Sequence, residues 1–210
     1  MRRFLLLTVT ACWLLACSGC SSPQSDATDQ DKTPLQSDNA ELAELYQQDQ
    51  AERQVEHIDW EVLLERDRQR KSRVEELLAA DSIVTAGDYY HAAMIFQHGG
   101  DSTAYRKAYE LARRSIELDS TNGVARWLTV ASYDRYLLSK GQTQWYGTQY
   151  LTLNGTTYIR PMDTTRVSDA ERRQYGIRTL SEIRAYLTQQ NGEDRGWLEL
   201  PDSIKVTIRG

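Results

Sequence analysis

Cysteine is absent from most of this chain. Its three cysteines, Cys12, Cys17 and Cys20, all lie within the first 20 of 210 residues. Residues 21 to 210 therefore offer no thiol for a nucleophile, for a thiolate metal site or for a disulfide. All three kinds of site are excluded from any folded part that follows the first 20 residues.

Short motifs that carry catalysis or ligand binding are also missing. The chain contains no HExxH, GxSxG, GxxxxGK[ST] or GxGxxG pattern and no Asp-rich calcium loop. Of the three histidines, His91 and His98 are seven residues apart on one predicted helix, which separates them by about 10.5 Å along its axis. That spacing is too long for both to bind one metal ion through bonds of about 2.1 Å. We expect neither a metal ion nor a cofactor.

Positive charge is scarce as well. The chain has 25 Lys and Arg residues against 30 Asp and Glu residues, a formal net charge of −5. Loss of Arg2 and Arg3 with a cleaved leader would leave 23 basic residues and a net charge of −7. This balance argues against nucleic acid as a partner and against electrostatic attachment to anionic lipid.

Residues 1 to 16 have the pattern of a signal peptide. Two arginines precede an uncharged stretch from Phe4 to Ala16. About 13 residues are too few to span a hydrocarbon core of about 30 Å as a helix, and the stretch ends at small residues. We expect this segment to be removed from the mature protein.

The end of the leader, Leu14-Leu15-Ala16-Cys17, resembles the lipobox of bacterial lipoproteins. The resemblance implies that Cys17 carries acyl chains such as palmitate and becomes the first residue of the mature chain. Cys20, after Ser18-Gly19, is a second candidate, and an ordinary secretory signal is a third possibility. The expected location is the bacterial cell envelope, on the outer membrane or the periplasmic face. The acyl chains would attach the protein to the membrane.

Residues 17 to 40 are predicted to be a disordered tether. Residues 21 to 40 contain one Leu, no aromatic residue and many Ser, Asp and Gln residues. Such a segment cannot bury enough apolar surface to offset its ordering entropy. As a flexible coil of about 20 residues it would span about 25 Å. Residues 41 to 210 remain for a single folded domain.

Residues 41 to 140 are predicted to be helical. ELAELYQQDQAERQ and IDWEVLLERDRQRKSRVEELLAA are rich in good helix formers. Apolar residues at both ends of the second segment keep helical spacing, namely Trp60, Leu63, Leu64, Val74, Leu77 and Leu78. Residues 65 to 73 are nearly all charged, which we interpret as a solvated middle between two packed ends. Gly99-Gly100 ends a third helix, and apolar stripes at 105 to 116 and 124 to 138 predict two more.

Two pieces of this helical region, Gly87-Asp88-Tyr89 with Ala92 and AYELARRSIELDSTN, resemble parts of tetratricopeptide-type repeats. The resemblance covers about 50 residues and lacks the full spacing of a repeat of about 34 residues. It implies antiparallel helix pairs and not a repeat array.

The periodicity changes from helical to alternating after residue 141. Asn154-Gly155 between alternating runs predicts a β-hairpin over residues 145 to 161, because both residues of a type I′ turn need positive φ. A two-residue loop would place Leu153 opposite Thr156 and Leu151 opposite Tyr158. Capping patterns predict two short helices after residue 168, and the tail IKVTI predicts a further strand. The expected class is α+β, a helical body with a small antiparallel sheet towards the C-terminus.

One charged pair interrupts an apolar helix face. The stripe that includes Trp127, Leu128 and Ala131 continues onto Asp134 and Arg135. Burial of these ions costs several kcal/mol each unless they have partners. The segment GQTQWYGTQY at 141 to 150 offers amides and hydroxyls, and we expect these groups to complete a buried polar network around Asp134-Arg135, namely Gln142, Gln144, Tyr146, Thr148 and Gln149.

Asp134-Arg135, then Gly141, Gln144 and Tyr146-Gly147-Thr148-Gln149, resemble the DR…GxxQxYGTQ signature of a bacterial protein family of unknown function. Residues 49 to 53, DQAER, and the pair Gln97-His98 are similar to recurring elements of that family. The resemblance covers about residues 41 to 185. It implies a shared fold and a shared site at Asp134, Arg135, Gln144, Tyr146 and Gln149 with His98 nearby, and it implies no activity.

Three functions fit the sequence. The first is a binding or interaction module that presents a polar-aromatic cleft to a small molecule, a peptide or an envelope protein. The second is a hydrolase-type enzyme that uses His98 or Asp134 as acid or base, with Arg135 holding an anion. The third is a purely structural role for the polar network. The sequence leaves open whether the protein is an enzyme, and geometry distinguishes an open pocket from a closed network.

Overall fold

The computed structural model describes residues 37 to 197 and Glu199. Five helices come first, a two-stranded hairpin follows, and two more helices complete the described part. This order confirms the predicted α+β class. The elements are α1 (Ala40–Glu52), α2 (Trp60–Ala79), α3 (Ala86–Gln97), α4 (Ser102–Leu118), α5 (Gly123–Ser139), β1 (Tyr150–Leu153), β2 (Thr156–Ile159), α6 (Asp169–Gln174) and α7 (Leu180–Asn191).

Each helix of the body begins at a side chain that accepts from a free backbone N–H of the first turn. Thr85 and Asp88 form a reciprocal capping box at α3. Asp101 caps α4 and Asn122 caps α5 in the same way. At the other end of α3, His98 is the C-cap residue and is followed by Gly99-Gly100, as predicted.

The helical core is built largely from small side chains. Helix α3 packs on α4 and α4 packs on α5. The buried residues at these contacts include several alanines, which allow the helix backbones to approach closely, namely Ala92, Ala93, Ala104, Ala108 and Ala112. Leu42 from α1 and Val74 from α2, both fully buried, cover this layer. At about 25 cal/mol per Å², burial of such apolar surface is the main stabilising contribution.

The middle of α2 is only in part the solvated face that we predicted, because most of residues 65 to 73 are exposed but two charged side chains are buried. Asp67 and Arg70 are each only 5% exposed, whereas Trp60 is 63% exposed and Leu64 is 49% exposed. The Arg70 guanidinium donates to Asp67 at 2.7 Å and to Glu52 of α1 at 2.8 Å. Ion pairs between the two helices, and not apolar contacts, therefore fix the middle of α2, and a hydrophobicity pattern carries no signal for such pairs.

The hairpin has the predicted turn and register. Leu151 pairs with Tyr158 and Leu153 with Thr156, and both turn residues have positive φ, 49° at Asn154 and 75° at Gly155. The strands are shorter than predicted, because residues 146 to 149 form a bent loop instead of extending β1. The polar contacts of this loop, described below, replace the strand pairing.

A second, smaller core lies under the hairpin. It contains Ile159, Met162, Ile183 and Leu187, so it joins β2 to α7. Asn191 at the end of α7 strengthens the junction by accepting from Thr157 N at 2.8 Å and donating to Thr157 O at 3.0 Å. A capping box at Thr179 begins α7, in agreement with the capping pattern of the sequence, and Gly192 ends the helix.

Several predictions fall outside the described residues. The signal peptide, the lipidated cysteine and nearly all of the tether precede residue 37, and the strand predicted for IKVTI follows Glu199. Among the helices that the structure does describe, none combines the length and the apolar character needed to cross a membrane.

Gly147 and Gly155 form a matched pair for testing how tightly the loop lies on the second core. Both have positive φ, 76° and 75°, so an alanine at either position costs about 1 to 2 kcal/mol. A Cβ on Gly147 would lie 2.7 Å from Ile183 Cδ1 and 3.0 Å from Met162 Sδ, whereas a Cβ on Gly155 meets no atom within 4 Å. We expect Gly147→Ala to cost about 1 to 3 kcal/mol more than Gly155→Ala in denaturant unfolding. Equal losses would contradict this packing.

Candidate functional site

The Asp134 carboxylate is completely buried and receives four hydrogen bonds from one loop. Its Oδ1 accepts from the backbone N–H of Trp145 at 2.9 Å and of Tyr146 at 3.0 Å. Its Oδ2 accepts from the Thr148 backbone N–H at 3.0 Å and from the Thr148 hydroxyl at 2.8 Å. The carboxylate thus binds the backbone of residues 145 to 148 to helix α5, as a ligand would be bound in an anion-binding loop.

Burial and hydrogen bonding act on the Asp134 carboxyl in opposite directions. Burial raises the pKa of this carboxyl, and the donors from Tyr146, Thr148 and Trp145 oppose that rise. Three of the donors are backbone N–H groups, which would lose their partner if the carboxylate were removed. All four donors come from the protein itself, so the network is closed.

Gln144 closes the base of the same loop. Its side chain is fully buried and donates to Gln149 O and to Arg160 O, both at 2.9 Å. The side-chain oxygen accepts from Gln149 N at 2.9 Å, and its backbone N–H donates to Pro161 O at 2.8 Å. The Gln144 amide therefore makes the hydrogen bonds that a neighbouring strand would make. It joins the loop to the residues that follow β2.

Arg172 is a member of this network that the sequence analysis missed. It lies on α6, is completely buried, and donates to Trp145 O at 3.0 Å and to Tyr146 O. Its Nε lies 3.6 Å from the Asp169 carboxylate. Asp134 thus accepts hydrogen bonds from N–H groups of the loop, and Arg172 donates hydrogen bonds to its carbonyl groups. The sequence shows two adjacent arginines, at 172 and 173, within a predicted helix. Nothing in the sequence indicates that one of these side chains is buried.

The remaining side chains of the loop are only partly enclosed. Gln149 Nε2 donates to Thr148 Oγ1 at 3.0 Å and reaches Ala131 O at 3.5 Å. The Tyr146 hydroxyl donates to Glu171 at 3.1 Å, and burial raises the pKa of this phenol. Gln142, which we expected in the network, is exposed. The sequence therefore indicated the loop that surrounds Asp134. It did not show that backbone N–H groups, more than side chains, would be the partners of the carboxylate.

The backbone of the loop is held down, so the rings of Trp145 and Tyr146 project against Tyr133 of α5. Ring centroids lie 5.2 Å apart for Tyr133 and Trp145 and 6.4 Å apart for Tyr133 and Tyr146. Two further rings lie near Tyr133, with Tyr109 at 5.2 Å and Tyr136 at 6.3 Å. Contacts of this geometry are typical of favourable aromatic pairs.

A groove of about 270 Å³ opens beside this aromatic series, at helices α4 and α5. Three tyrosines and one pair of opposite charges line it, namely Tyr109, Tyr133, Tyr136, Arg106 and Glu110. Arg106 donates to Glu110 at 3.0 Å along the exposed edge of α4. The sequence does not indicate that these residues form a site, because tyrosines at helical spacing look the same whether they fill a core or line a surface.

His98 and Arg135 belong to a different place in the domain. The Nδ1 of His98 lies 3.0 Å from Asp49 Oδ2 of α1, and Asp49 also pairs with Arg53 at 2.9 Å. Arg135 donates from Nη1 to Gln97 O at 3.1 Å. Asp134 and Arg135 are adjacent in sequence, but their side chains therefore contact different parts of the domain.

The expected site thus divides into two. Asp134, Gln144, Thr148, Gln149 and the backbone of Tyr146 come together in the closed network. His98 contacts Asp49 of the DQAER segment, and Arg135 contacts the backbone of Gln97. Within the part of the chain that the structure describes, no cluster of three or more His, Cys, Asp or Glu side chains could hold a metal ion.

Asp134→Asn should destabilise the domain by about 3 kcal/mol or more. The substitution removes an ionised acceptor and turns an NH₂ group towards protein donors. Gln149→Ala should cost only about 1 kcal/mol, since that side chain makes one good hydrogen bond, to Thr148. Urea unfolding measures both losses, and Asp81→Asn, at an exposed carboxylate, is the control. A loss for Asp134→Asn no larger than that of the control would show that the loop holds its conformation without the carboxylate.

Comparison with known proteins finds no relative of this chain. No protein-family model, no curated protein and no solved structure matches this chain. The resemblance to the DR…GxxQxYGTQ family therefore stays a prediction, and the function has to be inferred from the chain's own residues.

Proposed function

We propose that this protein is a lipid-anchored component of the bacterial cell envelope whose folded domain binds a ligand against the tyrosine-lined groove at α4 and α5. The observation that carries the proposal is the groove itself, about 270 Å³ in volume and lined by Tyr109, Tyr133 and Tyr136. Ligand sites are concave, mainly aromatic or apolar, and carry a few polar groups at their edge. Arg106 and Glu110 provide that polar edge.

The size of the groove limits what it can take. Pockets that enclose a drug-sized molecule measure about 300 to 1,000 Å³. A space of about 270 Å³ suits one ring or one side chain of a larger ligand. A peptide, an envelope protein or a ring-bearing small molecule could place such a group there, while the rest of the ligand runs over Trp145 and Tyr146.

In this proposal the closed network around Asp134 holds the aromatic residues that lie beside the groove. Asp134 and Arg172 fix the backbone of Trp145 and Tyr146 from opposite sides, and these residues place their rings beside Tyr133. A rigid aromatic surface loses little entropy when it binds, because its rings are already ordered. The network therefore supports the binding surface instead of forming the binding site.

The enzymatic alternative has less support. It needs His98 or Asp134 as acid or base with Arg135 holding an anion. Both oxygens of Asp134 are already occupied by protein donors. The His98 ring is oriented by Asp49, an arrangement that suits proton transfer. Within the described ranges, however, the ring hydrogen-bonds only to Asp49, so it has no nucleophile to activate.

Tyr136→Ala should weaken ligand binding about tenfold while Tyr158→Ala leaves it unchanged. Both tyrosines are half-buried, but only Tyr136 lines the groove, and loss of an anchoring ring from a binding surface costs about 1 to 2 kcal/mol. Thermal-shift screening of the purified chain against peptide and metabolite panels identifies a ligand, and calorimetry then compares the variants. The absence of any shift across both panels, or equal weakening by both substitutions, would count against the groove.

Lipid attachment should depend on Cys17. A Cys17→Ser variant should lose incorporation of labelled palmitate and shift from the membrane fraction to the soluble one, because serine has no thiol to modify and the acyl chains provide the anchoring. Cys20→Ser, three residues further on, should keep both properties. The reverse result would assign the lipid to Cys20, and incorporation in both variants would contradict attachment at a single cysteine.

A further inference from the structure

Two partly buried arginines lack the carboxylate partner that such arginines normally have. Arg135 and Arg160 each bury an Nε atom that makes no hydrogen bond. Arg70 and Arg172 also have such an Nε, but each lies 3.6 Å from a carboxylate oxygen, of Asp49 and Asp169 respectively. Among residues 37 to 197 and Glu199, no carboxylate forms an ion pair with Arg135 or Arg160.

Gln149 links the segment that carries Arg160 to helix α5, the helix of Arg135. Arg160 follows β2, and its backbone N–H donates to Gln149 O at 3.1 Å. The Gln149 side chain reaches Ala131 O, one helical turn before Arg135. The Arg135 guanidinium lies 5.9 Å from the ring centre of Tyr105. Burial lowers the pKa of Arg160, the Tyr105 phenol opposes that effect, and the positive charge of Arg135 adds to it.

Gln97, whose backbone contacts Arg135, also has an unsatisfied side-chain oxygen. Gln97 is 2% exposed, and its side-chain oxygen has no hydrogen-bond partner. Its backbone carbonyl accepts from Arg135 Nη1 at 3.1 Å. Buried polar groups without partners are rare in folded proteins, and a bound water or ion often satisfies them. The terminal amide can present either its oxygen or its NH₂ group to such a ligand.

The electrostatics of this cluster are unfavourable without a counter-ion. Two cations are partly removed from water, repel each other, and face a phenol instead of a carboxylate. Arg53 adds further positive charge near Arg135, although Asp49 and Asp67 neutralise it at 2.9 Å and 2.7 Å. An anion placed between Arg135 and Arg160 would relieve the repulsion and fill the open donor positions.

We propose that Arg135 and Arg160, with Gln97 and Tyr105 beside them, form a binding site for a small oxyanion, either a phosphate or a carboxylate group. Guanidinium groups recognise both anions through paired N–H donors. This cluster shares none of the residues that line the tyrosine groove, so the proposal does not depend on the proposed function.

Thermal unfolding of the full chain tests the site with inorganic phosphate and acetate as probes. The protein is kept in phosphate-free buffer, and sodium chloride at equal ionic strength corrects for general salt effects. We expect at least one of the two probes to raise the Tm of the wild type by several degrees and to saturate. Arg160→Gln should weaken this response about tenfold or more, since it removes a charge-assisted bond. Arg173→Gln, at an exposed arginine of α6, should leave it unchanged.

The unliganded proteins give an independent test. Without an anion, Arg160→Gln removes one of two repelling charges, so its Tm should equal or exceed that of the wild type. Arg160→Lys keeps the charge but loses the planar fork, and its response to the probe should lie between those of the wild type and Arg160→Gln.

Three results would overturn the proposal. One is a response to neither probe beyond that to sodium chloride. Another is an equal response in the wild type and in Arg160→Gln. The third is a marked loss of Tm in phosphate-free buffer for Arg160→Gln, which would show that the chain itself already supplies a stabilising partner for this arginine.

Discussion

The contact between the Asp134 carboxylate and the backbone of residues 145 to 148 is the interaction on which the C-terminal half depends. A loop with three N–H groups turned inward has no sheet partner of its own, and the buried group that satisfies them is a carboxylate projecting from α5. Arg172 satisfies the carbonyl groups of the same loop. These contacts place Gly147 against Ile183 and Met162, and they join the helical body to the hairpin and α7.

The domain encloses ionised groups in two different ways. At α1 and α2, each buried charge has opposite charges within hydrogen-bond distance, as Arg70 has in Asp67 and Glu52. This cluster specifies how the two helices meet and leaves no strong cationic character. Arg135 instead faces a backbone carbonyl and a phenol, and among the described residues no carboxylate pairs with it or with Arg160. The first arrangement is complete in itself, whereas the second is a place where a ligand would add stability.

The aromatic groove and the arginine pair both depend on α5. Tyr133 and Tyr136 line the groove, and Arg135, between them in sequence, donates to Gln97 of α3. Asp134 holds the loop from the same turn. Four consecutive residues thus have three different surroundings, as expected for a helix in which each residue is rotated by about 100° from the last and residues three apart share a face. A change in the position of α5 would therefore alter the groove, the loop and the arginine pair together.

The sequence by itself determined the helical segments, the Asn-Gly turn, the hairpin register and the need for partners around Asp134, because each follows from a local preference or a local cost. Periodicity and capping act within about four residues, and positive φ in the turn is a property of two. Only the tertiary structure decided which groups meet. It separated Arg135 from Asp134, buried Asp67 and Arg70 in place of Trp60 and Leu64, and brought Arg172 under the loop. Ion pairs and backbone contacts between distant segments leave no periodic pattern, since the energy of such a contact depends on three-dimensional position and not on spacing along the chain.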